Sequence, residues 1–393
     1  MANNAVQKQI LSLDGGGVRG VISIAFLERI EALYREKYKG KALRLADHFA
    51  LVGGTSTGSI IGTAIALGMS ASEIKNFYFE LAPRVFKRSR YRLIGFQSVF
   101  NAQALKDELY NVIGTRALDS PDLLTHLAIV TKRMDTGSAW IVTTNPAAKY
   151  WHDPADGSYI GNRHYRLAEV VRASTAAPYF FTPEKIRIAD KEPPGLFVDG
   201  GLTPHNNPAM ALLQLATIPA YGFNWEKGAE QLRIISVGTG MRRERLPRES
   251  FRRMPSLNLA VKSLKSMTYE CSVQNLTLLQ ILGRTDTPWE INSEIGDLRG
   301  VLLPEKPLFT FQRYDVRLER GWLQQNLGID MNESTLSQLM LMDQPKNIPA
   351  AYELAQAAAE HFVKPEHLQG LDMTTKAEEY MGRHQLCPTH SMK

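Results

Sequence analysis

The chain has 393 residues, of which 44% are hydrophobic and 22% charged, and 46 Lys+Arg against 40 Asp+Glu give a net charge of +6. This is ordinary globular usage and excludes a wholly disordered, collagen-like or coiled-coil protein. At roughly 150 residues per domain, the length predicts two or three domains or one large α/β domain with an appendage; the mild positive excess is compatible with an anionic partner without demanding one.

The polar segment Met1 to Gln9 lacks a signal-peptide core. The run Gln9 to Leu13 is short and apolar and stops at Asp14-Gly15-Gly16-Gly17, which predicts a buried strand ending in a tight loop. Val18 to Glu36 then carries Ile22, Ala25, Phe26, Ile30, Leu33 and Tyr34 at helical spacing. The pattern repeats as a strand at Phe49 to Val52, a turn at Gly53 to Gly58 and a small-residue helix at Ser59 to Gly68. Its most apolar stretch, Ile60 to Met69, is about half the length that spans a bilayer. Further strands are expected at 127–132, 140–144, 196–198 and 232–237, and helices at 71–79, 102–112, 166–174 and 209–215. Strands alternating with helices predict a mostly parallel sheet covered on both faces.

After Gly240 the character changes. Residues 241–255 are dense in arginine, with Arg242, Arg243, Arg245, Arg248, Arg252 and Arg253 softened by Glu244 and Glu249. Leu257 to Leu282 reads as a long amphipathic helix with Leu257, Val261, Leu264, Met267, Cys271, Leu278 and Leu282 on its stripe, most simply a packing face, otherwise a lid, a cleft wall or a homodimer face. A strand is expected within 308–317, and helices at 349–363 and 374–383. The expected division is therefore a core over 1–240 and a mainly helical C-terminal extension over 241–393, packed on it. The two cysteines, Cys271 and Cys387, lie far apart and form neither a disulfide framework nor a CxxC pair, which favours a reducing compartment. The expectation is a soluble cytoplasmic protein that, where it meets a membrane, meets it from the surface.

Three short constellations can carry chemistry. Gly54-Thr55-Ser56-Thr57-Gly58 is GxSxG between a strand and a helix, which forces the Ser56 hydroxyl outward beside the positive end of a helix. At roughly 7% usage each for Gly and Ser, the bare motif arises by chance about once in seven chains this long, so its context carries the weight. A glycine turn packing a helix on a sheet would read the same. Asp14 to Gly20 presents successive backbone N–H groups and Arg19, an anion cradle suited to an oxyanion or a phosphate. Gly15, Gly17 and Gly20 also satisfy GxGxxG, but Glu36 lies inside the first helical pattern and Asp47 before its strand, where a dinucleotide site wants an acid after the second strand. Val198-Asp199-Gly200-Gly201 delivers a carboxylate to a tight turn, either as a proton acceptor or as an Asx turn. His205, six residues on, is the only histidine near enough to join a Ser–Asp–His set, and no Cys/His or acidic cluster predicts a metal.

Taken together, the blocks LSLDGGGVRG at 11–20, GGTSTGS at 53–59, RASTAAPYFFTP at 172–183, FVDGG at 197–201 and IISVGTG at 234–240 resemble the patatin-like phospholipases. The resemblance implies a three-layer α/β/α sandwich around a mostly parallel sheet. It implies a catalytic dyad of Ser56 and Asp199 acting on membrane glycerophospholipids without a metal or resident cofactor. The oxyanion hole would be Gly15, Gly16 and Gly17 with Arg19 beside them. The chain also resembles the bacterial branch of that family, whose lipases are switched on by a cyclic dinucleotide in anti-phage defence. No nucleic-acid polymer is expected as a partner. Arg84, Lys87, Arg88, Arg90 and Arg92, interleaved with Val85, Phe86, Tyr91 and Leu93, suit anionic headgroups, a phosphate-bearing regulator or a solvated loop. The competing class is a nucleotide-binding signalling or membrane-binding module with an incidental hydrolase site.

Overall fold

The apolar runs bounded by glycine become the central strands of one nine-stranded sheet, seen in a computed structural model that describes residues 7–38, 43–87, 98–243 and 254–368. The strands are β1 (Lys8–Leu13), β2 (Leu51–Thr55), β3 (His126–Arg133), β4 (Ser138–Thr143), β5 (Glu184–Ile186), β6 (Gly195–Asp199), β7 (Leu232–Val237), β8 (Arg284–Thr287) and β9 (Thr310–Tyr314). Their order is β5-β6-β3-β2-β1-β7-β9-β8, with β4 also paired to β3. Every pairing from β3 through β2, β1, β7 and β9 to β8 is parallel, whereas β4, β5 and β6 join antiparallel.

The helices are α1 (Gly20–Lys37), α2 (Thr57–Ala66), α3 (Ala71–Val85), α4 (Ala102–Ile113), α5 (Leu167–Ser174), α6 (Ala209–Thr217), α7 (Ser256–Leu282), α8 (Arg320–Leu327), α9 (Glu333–Leu339) and α10 (Ile348–Phe362). Side chains alternate across the sheet, as the strand period requires. Leu11, Leu13, Ile235 and Val237 pack with Phe26, Ile61, Val171 and Ala355 from α1, α2, α5 and α10 on one face. Ile10, Leu232 and Ile234 pack with Leu212, Leu215, Leu276 and Leu279 from α6 and α7 on the other. The fold is the three-layer α/β/α arrangement with a mostly parallel centre.

The chain past residue 240 is mostly helical in α7, α8, α9 and α10 and feeds two strands into the sheet, β9 within the expected 308–317 and β8, which was not expected. The stripe on α7 is only partly a packing face: Leu276 and Leu279 are fully buried, but Leu264 and Met267 are 56% and 62% exposed. Residues 374–383, Cys387, Arg245, Arg248, Arg252 and Arg253 lie outside the described residues.

Candidate active site

Strand β3 sets the geometry. β4 pairs with Ala128 to Arg133 along one edge of β3. The other edge is shared end to end: β2 pairs with His126 to Val130, and β6 with Thr131 to Arg133. Thr55 therefore sits opposite Val130 and Asp199 opposite Thr131, at consecutive positions of one ladder. The residue after Thr55 is Ser56, so the two segments meet head to head at the proposed dyad. Ser56 Oγ donates to Asp199 Oδ2 at 2.6 Å.

Ser56 holds φ 53° and ψ −123°, a left-handed conformation costly for a residue with a Cβ. Its surroundings fix it there. The Ser56 N–H donates to Ser174 Oγ at 2.9 Å, and Ser174 Oγ in turn donates to the Val130 carbonyl at 2.6 Å. The Ser56 carbonyl accepts from Ser59 N at 2.8 Å and Ser59 Oγ at 2.6 Å. Gly58 allows α2 to start hard against β1, since a Cβ there would lie 2.2 Å from the Leu13 carbonyl oxygen. The start of α2 thus faces the serine with its unpaired N–H groups.

Asp199 is 6% exposed. Burial pushes its carboxyl up to about 6, against the hydrogen bond from Ser56, the Gly201 N–H and the charge of Arg172. The Gly201 N–H donates to Asp199 Oδ1 at 2.7 Å and leaves Oδ2 to the serine. Arg172 is fully buried, donates to the Thr182 carbonyl at 2.9 Å and stacks 5.2 Å over the Phe181 ring. Its Nε lies 3.9 Å from Glu184 Oε2, and neither Nε nor Nη1 makes a hydrogen bond among the described residues. The imidazole of His205 makes no hydrogen bond to Ser56 or Asp199, and its buried Nδ1 is unpartnered; His205 contributes instead its carbonyl, which accepts Thr55 Oγ1 at 2.6 Å.

The glycine loop packs directly on the serine: a Cβ on Gly15 would fall 3.3 Å from Ser56 Cβ. Its four expected contributors divide. The Gly15 N–H is spent on the Asn206 carbonyl at 3.0 Å. Arg19 turns its guanidinium away to the Gly240 carbonyl, 2.8 Å from Nη1, where burial also draws its pKa down to about 10. The Gly16 and Gly17 N–H groups have no acceptor among the described residues. Gly17 has φ +59°, and its carbonyl accepts Thr57 Oγ1 at 2.8 Å and the Tyr78 hydroxyl at 2.5 Å.

Ser56 and Asp199 form the floor of a cleft walled by Ile60, Leu81, Val85, Phe86, Leu105, Phe180, Phe181 and Met342. The void between these walls is about 580 Å³, part of it open to solvent. Of the basic run, Arg84 lies 3.1 Å from Glu108 and Lys87 is exposed; Arg88, Arg90 and Arg92 lie outside the described residues. Arg242 is committed to Glu333 at 2.5 Å. No group of three metal-ligating side chains and no helix long and apolar enough to cross a membrane occurs among the described residues.

Some site residues escaped sequence reasoning. Ser174 sits within the matched 172–183 block, but its role is to hold a backbone N–H, which leaves no motif of its own. Met342 and Asp343 line the cleft from the far end of the chain. Arg313 reaches the glycine loop from β9, where it read as one polar position of an alternating strand.

The chain is 27% identical over 236 residues to a cGAMP-activated phospholipase of Escherichia coli, an alignment covering 59% of this chain and 62% of that protein. It is 28% identical over 244 residues to a cGAMP-activated phospholipase of Vibrio cholerae, covering 59% and 64%. It is 29% identical over 251 residues to patatin group M-1 of Solanum tuberosum, covering 60% and 61%. The chain thus spans just under two thirds of the length of these curated relatives. The family model described as patatin-like phospholipase matches residues 11–213, a span that carries the glycine loop, Ser56 and Asp199; with more than half of the sequence inside that match, the chain belongs to the patatin-like phospholipase family.

Proposed function

We propose that the protein is a serine acyl hydrolase that cleaves fatty-acyl esters of membrane glycerophospholipids through Ser56 and Asp199. The observation that carries the reading is the 2.6 Å contact between Ser56 Oγ and Asp199 Oδ2 at the floor of an apolar cleft. Ser56 Oγ attacks the ester carbonyl as Asp199 Oδ2 takes its proton. The tetrahedral intermediate collapses, the ester C–O bond breaks, and Asp199 returns the proton to the departing lysophospholipid oxygen. Water then attacks the acyl-serine, giving its proton to Asp199; the acyl–Oγ bond breaks to release a fatty acid, and Asp199 returns the proton to Ser56 Oγ.

A carboxylate is a weak base for an alcohol, and two features offset this. With its pKa at about 6, Asp199 remains mostly ionised at neutral pH yet is about 100-fold more basic than a free aspartate. Gly17 lines the cleft together with Ser56, and the Gly16 and Gly17 N–H groups, which have no acceptor among the described residues, are the donors we assign to the oxyanion, each contributing about 3 kcal/mol to the transition state. The exposed apolar residues Tyr179, Leu202 and Met342 flank the residues that line the cleft and suit a surface that rests on the inner membrane from the cytoplasm.

A switch by a cyclic dinucleotide is supported by one observation: two of the relatives are named as cGAMP-activated. The test is fatty-acid release from phospholipid vesicles by the wild type, Ser56→Ala and Asp199→Asn, each with EDTA and with and without cyclic dinucleotides. Release abolished in both variants and dependent on one nucleotide is the expected result. Release that survives Ser56→Ala refutes the dyad, and a biological effect that survives it turns the assignment to a binding module.

A further inference from the structure

The glycine loop is clasped from behind by residues that lie outside the family match. Asp14 closes β1 and opens the loop. Its carboxylate receives a two-point fork from Arg313, Nη1 to Oδ1 at 3.1 Å and Nη2 to Oδ2 at 2.7 Å. Arg313 also holds Asp315 Oδ2 at 2.6 Å and Ser236 Oγ at 2.7 Å. Asp315 Oδ1 accepts the Gly240 N–H at 2.8 Å, and the Gly240 carbonyl accepts Arg19 Nη1 at 2.8 Å. The circuit runs from the first residue of the loop, through Arg313, Asp315 and Gly240, back to Arg19 at its end. A second hold comes from Met342, whose carbonyl accepts the Val18 N–H at 2.9 Å and would lie 2.3 Å from a Cβ on Gly17.

All four charged residues of the circuit are less than a tenth exposed, and Arg313 and Asp315 are 3% and 2% exposed. Buried ion clusters contribute little to net stability, because desolvation consumes most of the Coulomb gain; well-packed apolar residues often serve a fold as well or better. What a planar two-point fork supplies is fixed geometry. Here that geometry is delivered to Asp14, two residues before the first of the unspent N–H groups.

We infer that Arg313, with the Met342 carbonyl as its counterpart, is a positioning residue that holds the glycine loop in the shape that presents the Gly16 and Gly17 N–H groups to the oxyanion. The inference rests on the hydrolase reading of Ser56. It makes the chain beyond residue 213 part of the catalytic apparatus.

The experiment compares the wild type with Arg313→Lys, which keeps the charge and loses the fork, and Ser236→Ala, which removes one hydroxyl bond to Arg313. Turnover of p-nitrophenyl butyrate, the rate of Ser56 labelling by a fluorophosphonate, and the melting temperature are measured on each full-length chain. A displaced oxyanion donor lowers kcat with KM nearly unchanged, and a shift of about 1 Å corresponds to about a 100-fold loss. The expected result is a loss of that order in kcat and labelling for Arg313→Lys and about 3- to 10-fold for Ser236→Ala, because that variant leaves the fork in place. A role in stability alone would lower the melting temperature and leave kcat of the folded enzyme intact, and that outcome overturns the inference. If Arg313→Lys does not fold, Ser236→Ala decides: an unchanged kcat overturns the inference and a reduced one supports it. A folded wild type that neither turns over nor labels, with or without cyclic dinucleotides, refutes the hydrolase reading and this inference with it, whereas an active wild type with undiminished variants refutes only the inference.

Discussion

Replacing Asp199 by asparagine should move activity and stability in opposite directions. The side chains are nearly isosteric, and the amide oxygen of asparagine can still accept the Gly201 N–H that Asp199 Oδ1 accepts at 2.7 Å. The NH2 group then faces Ser56 Oγ and can take no proton. Removing a general base costs about 10²- to 10⁴-fold in rate, about 3 to 5 kcal/mol of barrier at 1.36 kcal/mol per decade. Stability responds to the other half of the geometry. Burial raises the Asp199 carboxyl from 3.8 to about 6, so above pH 6 the folded protein holds a carboxylate that would rather be in water. A rise of about two pH units corresponds to about 3 kcal/mol of penalty. The folded state binds the extra proton between 3.8 and about 6, so the penalty is complete above pH 6 and vanishes below about pH 4. Asp199→Asn should therefore melt several degrees higher than the wild type at pH 8 and close to it at pH 4, while its fatty-acid release falls at least 100-fold. Thermal melts at the two pH values, run beside an ester-hydrolysis assay, measure both. A variant that melts lower at pH 8, or a difference that does not depend on pH, would refute the desolvation argument; retained turnover would refute the base assignment.

The pH profile of the wild type should rise through about pH 6 as Asp199 ionises and level off above it. Asp14 is also raised to about 6 by burial, so the same profile is taken on Asp14→Asn: a rising limb that persists assigns it to Asp199, and one that disappears assigns it to Asp14. Gly17→Ala places a Cβ at φ +59° and 2.3 Å from the Met342 carbonyl oxygen, and should lower kcat by about 100-fold by displacing the loop; activity within twofold of the wild type would show that the loop tolerates that shift. Leu105→Ala opens the apolar cleft at a cost of about 2 to 5 kcal/mol in stability and should raise the preference for laurate over butyrate p-nitrophenyl esters, a ratio that stays flat if acyl chains bind elsewhere.

The sequence was most legible where burial is complete. β7 is Leu232–Val237, the span expected from its pattern, because a buried parallel strand is mostly apolar, here Leu232, Ile234, Ile235 and Val237 around Arg233 and Ser236. β8 reads Arg-Thr-Asp-Thr at the edge of the sheet, and nothing in its polarity marks it as a strand. The stripe on α7 extends past the part that finds a partner, since periodicity records which face is apolar and not what covers it. Ser56 and Asp199 were readable as motifs because tight turns need glycine around them. Which N–H groups of the glycine loop remain free was not, because the acceptor of Gly15 is a backbone carbonyl at Asn206, and carbonyls leave no trace in side-chain identity. Arg313 stayed hidden for a related reason: a charged residue in a strand is ordinarily read as facing solvent.

The shared edge of β3 has a consequence for how the molecule tolerates change in length. Because Thr55 and Asp199 are spaced by consecutive positions on that strand, the distance from nucleophile to base does not depend on how much chain runs between them. The exposed turn at Thr136 and Gly137 should accept inserted residues, even a small inserted domain, with the dyad undisturbed. A single residue added inside β6 would do the reverse. It would slide the strand by about 3.3 Å and turn the carboxylate to the opposite face of the sheet. The proposed pair is thus robust to insertions in the exposed turns between strands and sensitive to insertions within the strands that set its spacing.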